Sequence, residues 1–205
     1  MQCERGDGLW KHWLPVALAV SVVTVSAGCS GGRPARAPAP PVEPQAVQAA
    51  AFATADADGD GRLVGTELKT IPAIAAGLAA LDTDRDGAVT AAELLAWLDA
   101  VRLSRVAINR LDVLLRRQGR PLAGVVVRLV PEACMGRGIK PAEGTTDADG
   151  IAQMTIPGSP HAGVNCGLYR VEVGGVVTAT ETKLGIAVGA GSPEDTLVVL
   201  NLPTD

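Results

Sequence analysis

A chain of 205 residues with 47% hydrophobic and only 2% aromatic residues can bury a core, and it must build that core from small aliphatic side chains. The formal net charge of −4 comes with no basic face, which excludes nucleic acid as a partner. The two histidines, His12 and His161, are too few for a histidine-bound zinc or a hydrolytic triad, so the side-chain inventory predicts no enzyme.

In chain order, Arg5 and Lys11 precede an apolar run over residues 14–27, LPVALAVSVVTVSA. The run is too short to span a bilayer comfortably and has the charged-then-apolar layout of a secretory signal. It ends in Ser26-Ala27-Gly28-Cys29, which resembles the lipobox of bacterial lipoproteins. The resemblance implies a signal over 1–28, lipidation of Cys29, export, and membrane attachment in the bacterial cell envelope. Two other readings stay open on the residues: ordinary cleavage nearby with an incidental cysteine, and a retained anchor. Residues 29–44 are rich in Pro and Ala and predict an extended linker. With Cys3 in the signal and Cys29 lipidated, Cys134 and Cys166 remain as one even pair. An oxidising compartment predicts a disulfide between them, and two buried thiols are the alternative.

Residues 55–68 read ADADGDGRLVGTEL, and residues 81–94 read LDTDRDGAVTAAEL in the same register. A hard cation takes six to eight oxygens. A short loop supplies them from carboxylates at positions 1, 3 and 5, a carbonyl at 7 and a glutamate at 12, with glycine at 6 for the turn. These roles fall on Asp56, Asp58, Asp60, Gly61, the carbonyl of Arg62 and Glu67, and then on Asp82, Asp84, Asp86, Gly87, the carbonyl of Ala88 and Glu93. At position 9, Thr90 offers an oxygen that Val64 lacks, so the first site is expected to be the weaker or wetter one. Phe52 before the first loop, Leu78 and Leu81 before the second, and Leu94, Leu98 and Val101 after it mark apolar helical faces.

These loops resemble the EF-hand, and the resemblance implies a calcium-binding helical pair over residues 45–106, with Leu63 and Val89 meeting in a short bridge. The loops begin at Asp56 and Asp82, only 26 residues apart, so the helices between them must be brief, with Pro72 separating them. Calcium is the expected ion, with magnesium as its competitor.

From residue 109 the texture changes to short Val/Leu runs punctuated by Gly and Pro. Residues 111–115 and 125–130 read as a hairpin, TTDADG at 145–150 as a turn, and YRVEV and LVVLNL as further strands. This series resembles the carboxypeptidase-regulatory-like, transthyretin-like β-sandwich of bacterial envelope proteins, over residues 109–205. The expected fold class is α+β in separate domains: an N-terminal α-helical EF-hand pair, then a C-terminal antiparallel β-sandwich. His161 reads as an exposed loop residue. The expected function is calcium binding in a structural or sensing role. The alternative is a sandwich that binds an envelope protein or a glycan, with calcium only stabilising it.

Overall fold

The computed structural model describes residues 38–174, 184–189 and 197–202. The expected signal, Cys29 and the first part of the linker lie outside them, and no described helix is long and apolar enough to cross a membrane.

Helix α1 (Pro44–Ala55) opens with proline in its first turn, where the missing N–H costs nothing, and buries Val47, Ala51, Phe52 and Ala55 along one face. Helix α5 (Ala91–Ser104) buries Leu94, Leu98 and Val101 at helical spacing and ends on Arg105 in the left-handed region, φ 53°. The two helices pack together. Between them lie β1 (Arg62–Leu63), three short helices α2 (Gly65–Leu68), α3 (Pro72–Ala76) and α4 (Leu78–Leu81), and β2 (Val89–Thr90). The expected bridge is present: β1 and β2 run antiparallel with fully buried Leu63 opposite fully buried Val89. Pro72 separates the loops as its fixed φ requires, but it also starts α3.

Among the described residues eight strands follow, forming two sheets. Strands β3 (Asp112–Arg117), β4 (Arg120–Pro121), β7 (Ile151–Gln153) and β10 (Leu197–Leu202) make one; β5 (Val126–Pro131), β6 (Ala142–Thr145), β8 (Gly167–Val173) and β9 (Leu184–Val188) make the other in the order β6-β5-β8-β9. Pairing is antiparallel except between β3 and β10, which run parallel.

The expected hairpin of 111–115 with 125–130 does not form. Gln118 and Gly119, φ 51° and 74°, fold β3 tightly back onto β4. The chain then crosses to the other sheet, where β5 pairs with β6 and β8. The turn at 145–150 is as expected: Asp147 Oδ1 accepts the amides of Asp149 and Ile151, both at 2.9 Å, and Gly150 takes φ 78°. His161 is exposed.

The expected disulfide is absent, and Cys134 and Cys166 are free thiols. The β5–β8 ladder ends at Pro131 opposite Tyr169, and a 3₁₀ turn over Ala133–Met135 then diverts Cys134. Cys166 meanwhile points its thiol at the carbonyl of Gly189, 3.3 Å away. Burial pushes both thiols up to about 11, so both stay protonated and unreactive.

The helical and sheet regions share one continuous hydrophobic core, from Phe52 and Leu94 through Ile74 to Leu129, Leu168 and Tyr169. Helix α3 makes the junction by lying on β8 and β9. The approach is possible because β9 carries Gly185 there: a Cβ at that position would collide with the backbone of Pro72 and Ala73. Buried Glu132, just past β5, accepts the Ala73 amide at 3.4 Å. Asn165 holds the other end of the junction, donating to the carbonyl of Ala107 at 2.7 Å and accepting the amide of Lys140 at 3.2 Å.

Two outcomes follow from this junction. Gly185→Ala should cost about 1–3 kcal/mol in urea unfolding, because the added methyl meets backbone that cannot rotate away. Burial raises the Glu132 carboxyl above its ordinary value, against the pull of the Ala73 amide and Arg170. The native state therefore holds that proton longer than the unfolded chain, and stability falls as pH rises through the raised value. Glu132→Gln keeps the acceptor and cannot ionise. Its urea midpoint should match or exceed the parent's at pH 7, with the advantage gone at pH 4.

Candidate metal centre

Each acidic loop is entered from a helix whose last turn still holds the first aspartate. The Asp56 amide bonds Phe52 O at 2.9 Å at the end of α1, and the Asp82 amide bonds Leu78 O at 2.8 Å at the end of α4. Gly61 and Gly87, φ 79° and 84°, supply the left-handed turn at position 6. Their amides return to the first carboxylate, Gly61 to Asp56 Oδ2 at 3.0 Å and Gly87 to Asp82 Oδ2 at 2.9 Å. Position 4 is left-handed in both loops as well. Gly59 fills it in the first loop and Arg85, φ 62°, in the second, where a side chain tolerates that conformation poorly.

The result is convergence. Oxygens of Asp56, Asp58 and Asp60 lie within 4.8 Å of one another, and so do oxygens of Asp82, Asp84 and Asp86. Loop amides orient the carboxylates: Asp60 N donates to Asp58 Oδ1 at 3.1 Å, Arg62 N to Asp60 Oδ1 at 2.8 Å, Asp86 N to Asp84 Oδ1 at 3.2 Å and Ala88 N to Asp86 Oδ1 at 2.9 Å.

The glutamates at position 12 close the loops. Glu67 accepts the Ala57 amide at 2.8 Å and the Val64 amide at 3.2 Å. Glu93 does the same with Thr83 and Thr90 at 2.8 and 2.9 Å, and it also accepts both their hydroxyls. The Thr90 amide, then its hydroxyl, then Thr83 hold the Glu93 carboxyl down to about 2 against a desolvation that would raise it. Thr90 completes the exchange by accepting the Glu93 amide at 3.2 Å, a reciprocal cap at the start of α5. Its hydroxyl is thus committed to the helix end and to Glu93. Val64 at the matching position has no such oxygen.

Every donor in the two clusters is an uncharged or anionic oxygen, with no sulfur and no imidazole. That set fits a hard divalent cation, and the carbonyls of Arg62 and Ala88, on or beside the β1–β2 bridge, stand at the position that completes it. Like charges held this close repel, so a bound cation offsets a cost the apo loops carry. Two participants were not legible as such: Thr83, whose place at position 2 was its only signal, and the side chain of Arg62, which bonds Asp86 Oδ2 of the other loop at 2.6 Å.

Thr90→Val tests the cap. In calcium-free buffer it should lower stability by about 1 kcal/mol at pH 7. The depressed Glu93 contributes stability above the ordinary glutamate value of 4.5, lost as pH falls toward about 2. The gap between variant and parent should therefore narrow over that acid range, read by urea unfolding at a series of pH values.

Against known proteins, an EF hand family model matches residues 47–71 and again residues 74–98. No curated protein and no solved structure matches the chain. The matched stretches contain the two carboxylate clusters with their position-12 glutamates, so the helical region is an EF-hand pair leading into a β-rich region.

Proposed function

We propose that this protein is an exported, lipid-anchored calcium-binding protein of the bacterial cell envelope, in which calcium reinforces the fold rather than switching it. The observation that carries the calcium reading is the convergence of three aspartates in each loop, with a glutamate at position 12, within the stretches that the EF hand family model matches. Calcium would be held by Asp56, Asp58, Asp60, the Arg62 carbonyl and Glu67 in the first loop. Asp82, Asp84, Asp86, the Ala88 carbonyl and Glu93 would hold it in the second, with Thr90 orienting the glutamate.

Reinforcement is favoured over sensing by the lengths of the helices between the loops. A sensor converts a movement of the glutamate into the swing of a long helix. Here Glu67 opens α2, a lever only about 6 Å long that leads into α3, which lies on β9 with backbone against backbone, while α5, the long helix that Glu93 opens, is packed against α1. Extracellular modules of this kind bind at about 0.1–1 mM, which suits steady occupancy outside a cell. The Cys29 anchor and the spacer after it would hold the folded body off a membrane. No catalytic role is assigned.

A second reading, an envelope partner bound on the sheet, has one observation in its favour. Strand β10 pairs only with β3 among the described residues and presents Leu197 and Val199 outward, 50% and 46% exposed. A glycan is disfavoured there, since the outward residues include no ring on which a sugar would stack.

Calorimetric titration of calcium into the parent chain, Asp56→Ala and Asp82→Ala decides the main reading. Two sites should be lost one at a time, and calcium at about 100 times its Kd should stabilise the parent by about 2.7 kcal/mol per site. Absence of heat and of stabilisation in millimolar calcium would reduce the loops to an acidic scaffold.

A further inference from the structure

The two loops treat the aspartate at position 5 differently. In the first, Asp60 Oδ1 accepts the Arg62 amide at 2.8 Å, and its other oxygen accepts no hydrogen bond among the described residues. In the second, Asp86 Oδ1 accepts the equivalent Ala88 amide at 2.9 Å, but Oδ2 accepts Arg62 Nη2 at 2.6 Å. That second oxygen is the one the loop amide leaves over for a cation. A guanidinium from the neighbouring loop is already on it.

The fold delivers Arg62 there. The residue lies in β1 directly opposite Thr90 of β2, so its side chain starts beside the second loop while its own carbonyl belongs to the first. We propose that Arg62 is an affinity-setting residue of the second loop: a tethered cation that competes with calcium for Asp86 Oδ2 and lowers the affinity of that site. The inference rests on the calcium reading above.

A calcium ion entering among Asp82, Asp84 and Asp86 either displaces the guanidinium or accepts a like charge beside it, and both add work to binding. Release is not prohibitive, because Asp60 and Asp84 also attract Arg62 and the pair is partly open to solvent, at 43% and 33% side-chain exposure. Salt should screen the competition for the same reason. Since Arg62 reaches one loop with its carbonyl and the other with its side chain, loading the first loop acts on the residue that blocks the second.

The test is an NMR calcium titration of the parent chain, Arg62→Met and Arg62→Lys, with the Gly61 and Gly87 amides reporting the two loops separately. Arg62→Met keeps the carbonyl and the aliphatic stem and removes the charge. It should tighten the site reported by Gly87 about two- to fivefold at low salt, a range set by measured exposed ion pairs, and high salt should close the gap. Arg62→Lys, which keeps the charge, should stay near the parent value. If Arg62→Met binds at the Gly87 site no more tightly than the parent, or if Arg62→Lys tightens it equally, the inference is overturned while the calcium reading stands. A parent chain that binds no calcium overturns both.

Discussion

The helical half of this molecule depends on a bridge two residues long. Leu63 and Val89 face each other across β1 and β2, fully buried, and through them the two acidic loops lie against each other. Helix α1 runs into the first loop and α5 runs out of the second, so fixing the loops brings together the faces carrying Phe52 and Leu94. The arrangement concentrates eight carboxylates, and the chain manages the repulsion locally. Backbone amides turn inward, Thr83 and Thr90 donate to Glu93, and Arg62 crosses to Asp86.

Short helices between the loops leave that unit little of its own core, and the sheets supply what is missing. Helix α3 has only five residues, yet Ala73 and Ile74 are fully buried because β9 passes close enough for backbone contact at Gly185. Tyr169, fully buried in β8, fills the far side of the same core and returns its hydroxyl to the carbonyl of Asn165 at 2.8 Å. Asn165 in turn grips Ala107 on the connection leaving α5, so the helical and sheet regions are held together at both ends of the junction.

What could be read in advance divides by the range of the interaction. The acidic ladder of the two loops was legible because every slot is a spacing within twelve residues and each residue type has a chemical reason to be there. The bridge was legible because position 8 is apolar in both loops, and Pro72 announced its own boundary. Strand positions in the second half were mostly legible from Val/Leu runs and turn residues, but strand partners were not. Nothing near β3 says that it lies beside β10, whereas the nearby run at 125–130 suggested a hairpin that Gln118 and Gly119 pre-empt with a tighter one. The cysteines were paired by counting, and a three-residue 3₁₀ turn is enough to defeat counting. The reach of Arg62 into the second loop depends on both the bridge and a side-chain rotamer, and it had no linear signature.

The parallel pairing of β3 with β10 bears on how the protein is made. Asp112 aligns with Leu197 and Arg117 with Leu202, so β3 waits for a partner that emerges only after β4 to β9. During synthesis the loops and their helices can close as soon as they emerge, since their contacts are local. Among the described residues, strand β3 has only β4 and β7 for company until β10 has emerged. Closing so long a loop is slow, and until it happens β3 keeps an unpaired edge that other chains can occupy. Completion of this sheet is therefore a late step of folding, and the vulnerable interval falls between the emergence of β3 and the docking of β10.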